Sequence, residues 1–285
     1  MSRYLTRTRN RIWTQPLAYA VVIFGAVLMI YPVIWMLSAS FKPLDETFTS
    51  PSLIPQTWTL ENYSEGWNAL DYPFDVFFVN SFIVCIGAAI GNIISCSLAA
   101  YAFARINFKF KNFWFLIMLG TIMLPYHAIV VPQYILFKNL DWINTYLPLI
   151  VPKFLATDAF FIFLLVQFIR AIPRDLDDAA KIDGCNHFQM YARIILPLAT
   201  PALATTAIFT FIWTWGDFFT QLIFLNDQSV YTVPVALRTF LDSTGISAYG
   251  QLFAVSIISL IPIIGFFIIF QRLLIEGTAT SGIKG

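Results

Sequence analysis

Charge is what this chain has least of. Only 12% of its 285 residues are charged while 58% are hydrophobic, against roughly a quarter charged in a soluble domain. That scarcity excludes a water-soluble globule, and a net charge of +1 offers nothing to nucleic acid. Cysteine is equally thin. Cys85 and Cys96 would share one helix, about 16 Å apart by helical rise and too far to bridge, and Cys185 stands elsewhere. Neither a disulfide framework nor a Cys/His metal spacing is encoded. The two histidines, His127 and His187, lack Asp, Ser or Cys partners at a catalytic spacing, so an intramembrane enzyme has no candidate nucleophile and base. No glycine-rich GKS or GKT loop is present, and the chain cannot cradle ATP by itself. The first apolar run far exceeds the roughly 7 to 15 residues of a signal-peptide core, and no small-residue cleavage site follows it.

What is present in quantity is long apolar sequence. A bilayer core of about 30 Å takes roughly 20 apolar residues per helix. Runs at about 14–40, 76–104, 112–133, 149–169, 199–225 and 245–271 meet that length. They predict an all-α polytopic membrane protein, one membrane domain over 1–285 with six transmembrane helices. Pro125 and Pro132 interrupt the third run. Lys153 and Asp158 sit at the outer end of the fourth, where they can snorkel, and the fifth holds a single acid, Asp217. Arg3, Arg7, Arg9 and Arg11 precede the first run. Arg105, Lys109 and Lys111 fall between the second and third, Arg170, Arg174, Lys181 and Arg193 between the fourth and fifth, and Arg272 and Lys284 after the sixth. Only Lys42, Lys138, Lys153 and Arg238 lie opposite. The positive-inside rule then places both termini and the 171–198 loop in the cytoplasm, with 42–75 as an outer loop.

Within the 171–198 loop, residues 178–197 read DAAKIDGCNHFQMYARIILP and describe two short helices. Pro173 opens the first, which stops at Asp183-Gly184, where glycine suits a left-handed C-terminal position. Asn186 caps the second, and Gln189 completes a capping-box pattern. Phe188, Tyr191, Ala192 and Ile195 follow at helical spacing until Pro197 ends it. Two capped amphipathic helices, too short to span, can either sit in a groove of another protein or fold back on the chain's own membrane helices.

The pattern Asp178-Ala179-Ala180, Asp183-Gly184, Phe188, Ile194, Leu196-Pro197 resembles the EAA loop of ABC importer permeases. Asp178 stands for the usual Glu, a shorter arm with the same charge, and Cys185 where alanine is frequent. Further likenesses are PVIWMLSASFK at 32–42, Asn80-Ser81, AAYAFAR at 99–105, Asn144-Thr145-Tyr146, 205–218, and the Gly282-Ile283-Lys284-Gly285 ending. Together they cover nearly the whole chain and are similar to the carbohydrate-importer branch, the maltose-type second permease or glycerol-3-phosphate-type permease. The resemblance implies the type I importer permease fold in a bacterial cytoplasmic membrane. It also implies a heterodimer with a second related permease, two copies of a cytoplasmic ABC ATPase that bind ATP and Mg, and an extracytoplasmic sugar-binding protein. This chain would then hold no cofactor and catalyse nothing. It would couple to the ATPase through Asp178, Ala179, Ala180, Asp183, Gly184, Phe188, Ile194, Leu196 and Pro197, with Gly282, Lys284 and Gly285 as a tail contact.

The sugar path is marked only by Asp217 beside Trp213 and Trp215, since aromatic faces stack on sugar rings and a carboxylate accepts hydroxyl hydrogens. The acid can equally bond within its own bundle, and the tryptophans can be core or interface anchors. Pro125 and Pro132 are candidates for a gating kink. A secondary carrier or channel is the alternative, as is an importer of glycerol 3-phosphate, a polyol or an acidic sugar. The spans hold no basic residue deep in the membrane, which favours a neutral sugar.

Overall fold

Long apolar helices, broken where proline or glycine interrupts the backbone ladder, make up most of the molecule. The structure, a computed structural model, describes residues 2–244 and 248–281. Helix α1 (Ser2–Ala39) leads through short α2 (Leu44–Thr49) and α3 (Glu61–Trp67) to α4 (Phe74–Arg105). Next come α5 (Lys111–Thr121), α6 (Tyr126–Asn139), α7 (Leu147–Ile150) with a 3-10 turn Val151–Leu155, and α8 (Ala159–Ala171). The following loop contains α9 (Asp175–Ile182), α10 (His187–Met190), a π-helical turn Tyr191–Ile195 and α11 (Leu196–Leu198). Helices α12 (Thr200–Gly216), α13 (Phe219–Phe224), α14 (Val233–Thr244) and α15 (Tyr249–Ser281) complete the chain.

Among the described residues four segments are long and apolar enough to cross a membrane: Ala18–Ala39, Phe74–Arg105, Leu147–Ala171 and Tyr249–Arg272. Two more candidates are bent pairs, α5 with α6 at 98° and His187–Leu198 with α12 at 76°, giving six if each pair is one span. Proline explains the bends. Pro125 caps α6 with φ −66° and ψ 129°, lacks an N–H, and pushes the residue before it out of helical geometry. Pro201 occupies the first turn of α12, where its missing N–H costs nothing. The apolar run 199–225 is two helices rather than one. It stops at Gly216, turns through an extended Asp217 whose Oδ1 accepts from the Thr220 amide (3.0 Å), and resumes as α13.

The chain falls into two compact units, Met1–Ala69 with Leu241–Ile258, and Leu70–Phe240 with Ser259–Gly285. In the first, the 42–57 segment is tied down by its charges. Buried Lys42 donates from Nζ to the carbonyls of Ser50 and Ser52, and the Glu46 carboxylate accepts from the amides of Gln56 (2.7 Å) and Thr57 (3.0 Å). The Asn62 amide spans the carbonyls of Ser40 and Lys42. Trp35 meets Phe253 edge-on at 5.4 Å, while Phe24 and Met29 on the apolar stretch of α1 stay exposed, as expected of side chains that face lipid or another membrane chain.

In the second unit α4 is the central helix. Between the large buried side chains of Phe74, Phe77 and Val84 at one end and Tyr101 at the other, the middle of its buried face is small or polar: Ala88, Gly91, Asn92, Ser95, Cys96 and Ala100. Against it pack Phe161, Leu165, Ile169, Tyr191 and Ile195 as one core, and a second core joins Val84, Val130, Phe137, Leu149 and Phe224. Near the Phe74 end, the Asn80 amide donates to the carbonyls of Ser229 and Tyr231 (both 2.9 Å), and Ser81 Oγ accepts from the Val233 amide (2.9 Å). Asn144, at a left-handed φ of 63°, accepts from the amides of Asn226 and Asp227. Asn80, Ser81 and Asn144, noted in the sequence, are therefore fasteners of the 226–233 segment.

Asn80→Ala leaves two carbonyls without their donor, and thermal unfolding in detergent should register a loss of about 1–3 kcal/mol, while Asn80→Asp, lacking the donor, should lose at least as much. Backbone donation, chiefly from Gln56, holds the Glu46 carboxyl below its ordinary value of 4.5. The stabilisation of the 42–57 segment is thus complete above that value and lost as pH falls through the lower folded one. Hydrogen exchange over 43–57 should accelerate only on acidification below the ordinary glutamate range, after correction for intrinsic exchange, and Glu46→Gln should be faster at neutral pH.

Candidate functional site

The 172–198 loop is built from local rules and then fixed by tertiary contacts. Asp175, Asp177 and Asp178 fill the first turn of α9, where acids suit the helix dipole. Gly184 adopts φ 78°, and the amides of Gly184 and Cys185 bond the carbonyls of Lys181 (3.0 Å) and Ala180 (2.9 Å). That is a Schellman ending, in which only glycine avoids backbone strain. Asn186 Oδ1 accepts from the Gln189 amide (2.8 Å), and Gln189 Oε1 from the Asn186 amide (2.9 Å), a complete capping box. Pro197 does not end the second helix as its sequence position suggested. Its ring and missing N–H disturb the ladder one turn earlier, where Tyr191–Ile195 widens to π geometry, and helical backbone continues to Leu198.

The loop has two distinct faces. Asp177, Ala180, Met190, Tyr191 and Ile195 are buried, and Ile194 and Leu196 are half-buried. Tyr191 hydroxyl meets Ser97 Oγ at 2.7 Å, and Tyr101 hydroxyl lies 3.4 Å from His187 Nδ1. Facing out are Asp178, Ala179, Asp183, Ile182 at 86% exposure and Phe188 at 71%, with Lys181 paired to Asp178 at 2.9 Å. The anchor is an ion pair that pattern reading missed. Arg105, at the end of α4, holds Asp177 Oδ2 at 3.2 Å from Nε, with both side chains more than nine-tenths buried, and donates from Nη2 to the Ile172 carbonyl (2.7 Å). The Nε contact is a charge contact rather than an aligned hydrogen bond, and Asp177 Oδ1 has no donor among the described residues. The signal was available, since Asp177 directly precedes the Asp178-Ala179-Ala180 triplet and Arg105 closes AAYAFAR.

A cavity of about 670 Å³ opens between α4, α6, the 147–158 segment, α12 and α13. Trp213 and Asp217 line it; Trp215 does not, being 3% exposed and packed between Phe82 and Phe211. Two positions apart on α12, the tryptophans fall on nearly opposite faces. Pro125 stands at the 98° break and Pro132 inside α6, whose residues Tyr126, Ile129 and Gln133 form one wall. Lys153 and Asp158 do not sit at an outer end. They pair at 2.9 Å and face the cavity, because the segment that carries them is folded against the middle of α4. Gly282, Lys284 and Gly285 lie outside the described residues. Among the described residues no group of three or more His, Cys, Asp or Glu is placed to hold a metal.

Arg105→Met alone strands Asp177 as a buried unpaired charge, an expected loss of about 3–5 kcal/mol in thermal unfolding with faster proteolysis at 172–186. Arg105→Met with Asp177→Leu should recover most of that stability.

Residues 91–279 match the family model described as "Binding-protein-dependent transport system inner membrane component". The chain is 34% identical to the trehalose/maltose transport system permease protein MalG of Thermococcus litoralis over 93% of this chain and 96% of that protein. It is 33% identical to the arabinooligosaccharides transport system permease protein AraQ of Halalkalibacterium halodurans, covering 96% of each. In fold it is similar to a chain in the crystal structure of a bacterial ABC transporter involved in the import of the acidic polysaccharide alginate. That match has a TM-score of 0.80 and 22% identity over 92% of this chain and 96% of the other. The architecture is that of a type I ABC importer permease.

Proposed function

The chain belongs to the family of binding-protein-dependent transport system inner membrane components, and we propose that it is a permease subunit of an ATP-driven sugar importer, acting over 1–285 as one membrane domain. The observation that carries the coupling role is the 172–198 loop. Capped on both sides of the α9–α10 junction and anchored through Arg105, it presents Ile182 and Phe188 outward on a packed base. Such a surface suits the groove of a separate cytoplasmic ATPase, two copies of which bind ATP and Mg and serve this chain and a second, related permease. Asp178, Ala179, Asp183, Gly184 and Phe188 supply the docking face, while Ala180, expected there from the motif, is buried and packs the helix onto its base; Ile194, Leu196 and Pro197 join it to α12. Both termini and this loop face the cytoplasm, and Gly282, Lys284 and Gly285 add a tail contact to the ATPase. A sugar-binding protein delivers substrate from the opposite side.

The mechanism is a coupling of two equilibria. ATP favours the closed ATPase dimer and the loaded binding protein favours an outward-open membrane path, so both bias the same state through differential affinity. A loop that deformed under load would not transmit that bias, which gives the caps and the Arg105–Asp177 pair their function. The 670 Å³ cavity, with Trp213 and Asp217 on its wall, is this chain's share of the path, and the break at Pro125, with Pro132 one helical stretch on, is where its wall can move.

The test is co-purification from cells expressing the neighbouring genes. Wild type should bring down a second permease and an ATPase. Phe188→Asp should lose the ATPase and lower sugar uptake about tenfold or more, while the membrane part, changed only at an exposed position, shifts in stability by no more than about 0.5 kcal/mol. Gly184→Pro, forced away from φ 78°, should uncouple in the same way. Retention of the ATPase and of uptake in Phe188→Asp sinks the docking reading.

A further inference from the structure

The Lys153–Asp158 pair is placed where a charge pair is expensive, and its geometry is not that of a structural cap. Asp158 stands at the N-cap of α8, a position at which an aspartate ordinarily accepts from the first turn of its own helix. It makes no such bond. Its Oδ2 instead takes two donors, Lys153 Nζ at 2.9 Å and Asn92 Nδ2 at 2.6 Å, and Asn92 Nδ2 also reaches Thr210 Oγ1 at 3.1 Å. Asn92 is completely buried, whereas the Lys153 and Asp158 side chains keep 29% and 27% exposure on the cavity. Oδ1 of Asp158 carries no donor among the described residues, and Lys153 has N–H groups to spare. Asn92 lies about 20 Å by helical rise from the Arg105 end of α4 and about 27 Å from its Phe74 end, well inside the span. A partly solvated ion pair at that depth, oriented from behind by a buried amide, is a functional site by default.

We infer that Asp158 and Lys153, held by Asn92 and flanked by the Trp213 ring, form a subsite that reads adjacent hydroxyl groups of a neutral sugar. A free carboxylate oxygen accepts from one hydroxyl and an ammonium donates to its neighbour, as vicinal diols require. Trp213, half-exposed on the same cavity, offers an apolar face for the ring. The charge inventory selects neutral substrates. The cavity lining has two carboxyl groups, Asp158 and Asp217, against the one ammonium of Lys153, and that ammonium is already paired. A uronate or phosphate ester would meet an excess of acid on this wall. The basic residue that the apolar runs hid is present, and its partner cancels it.

This inference rests on the importer reading, and its test separates the two. The complete complex with its binding protein, in proteoliposomes, is offered labelled neutral disaccharides (maltose, trehalose) and acidic probes (digalacturonate, glycerol 3-phosphate). ATP-dependent uptake of a neutral probe and of no acidic one is expected. With that sugar, Asp158→Asn and Trp213→Ala should each cut uptake about tenfold or more, the scale of one lost charged or stacking contact, while ATPase stimulation by the loaded binding protein persists. The double variant Lys153→Met/Asp158→Leu, which keeps volume without charge, should also fail to transport. Uptake at the wild-type rate in the double variant reduces the pair to a brace and overturns the subsite, as does transport of an acidic probe. Absence of ATP-driven uptake of every probe by the wild-type complex, with no ATPase bound, removes the importer reading itself and the subsite with it.

Discussion

Irregular backbone inside a membrane span has to be satisfied by protein, and the larger unit is organised around meeting that requirement for residues 151–158. The segment between α7 and α8 runs as a 3-10 turn, reverses through Ala156 at φ 54°, and restarts at Asp158. Only the small-residue face of α4 can take it. A Cβ on Gly91 would lie 2.8 Å from the Phe154 ring and 3.0 Å from the Lys153 carbonyl carbon, so nothing larger than glycine admits this approach. Ser95 Oγ donates to the Lys153 carbonyl at 2.6 Å, and Cys96 Sγ lies 3.8 Å from the Asp158 carbonyl oxygen. The irregular segment that α4 holds also lines the cavity, through Pro152, Lys153, Thr157 and Asp158.

The same helix reaches the other half of the site. Arg105, thirteen positions beyond Asn92, ends α4 in the buried contact with Asp177, so one rigid rod joins the cavity wall to the 172–198 loop. Under the coupling proposed above, a force applied to Phe188 and Ile182 would pass through α9 and the ion pair into α4. Buried ion pairs contribute little net stability because desolvation offsets their attraction. Their worth here is directional: the pair fixes where the loop sits on the helix end.

Local chemistry was readable wherever it depended on neighbours in sequence. Gly184, Asn186 with Gln189, Pro125 and the α9 boundaries follow from turn, cap and proline rules that act over a few residues. The alternatives that stayed open were those decided by facing. Trp213 and Trp215 are indistinguishable as letters, yet one lines the cavity and the other fills the core. Lys153 and Asp158 were misplaced because a hydropathy window measures depth along a straight helix, and this segment is not one. Asn92 gave no signal at all, one polar residue among many on an apolar helix.

By itself the sequence determined that the chain is helical and membrane-embedded, that its third apolar run breaks at Pro125, and how its 178–197 stretch is capped, because hydropathy and capping are sums over adjacent residues; the breaks at Ala156 and Gly216 were not legible. The tertiary structure alone decided which charges meet. Arg105 with Asp177, and Lys153 with Asp158 and Asn92, are brought together from positions that only packing on α4 relates. Electrostatic contacts fall off over a few ångströms of space, and no spacing along the chain encodes that distance.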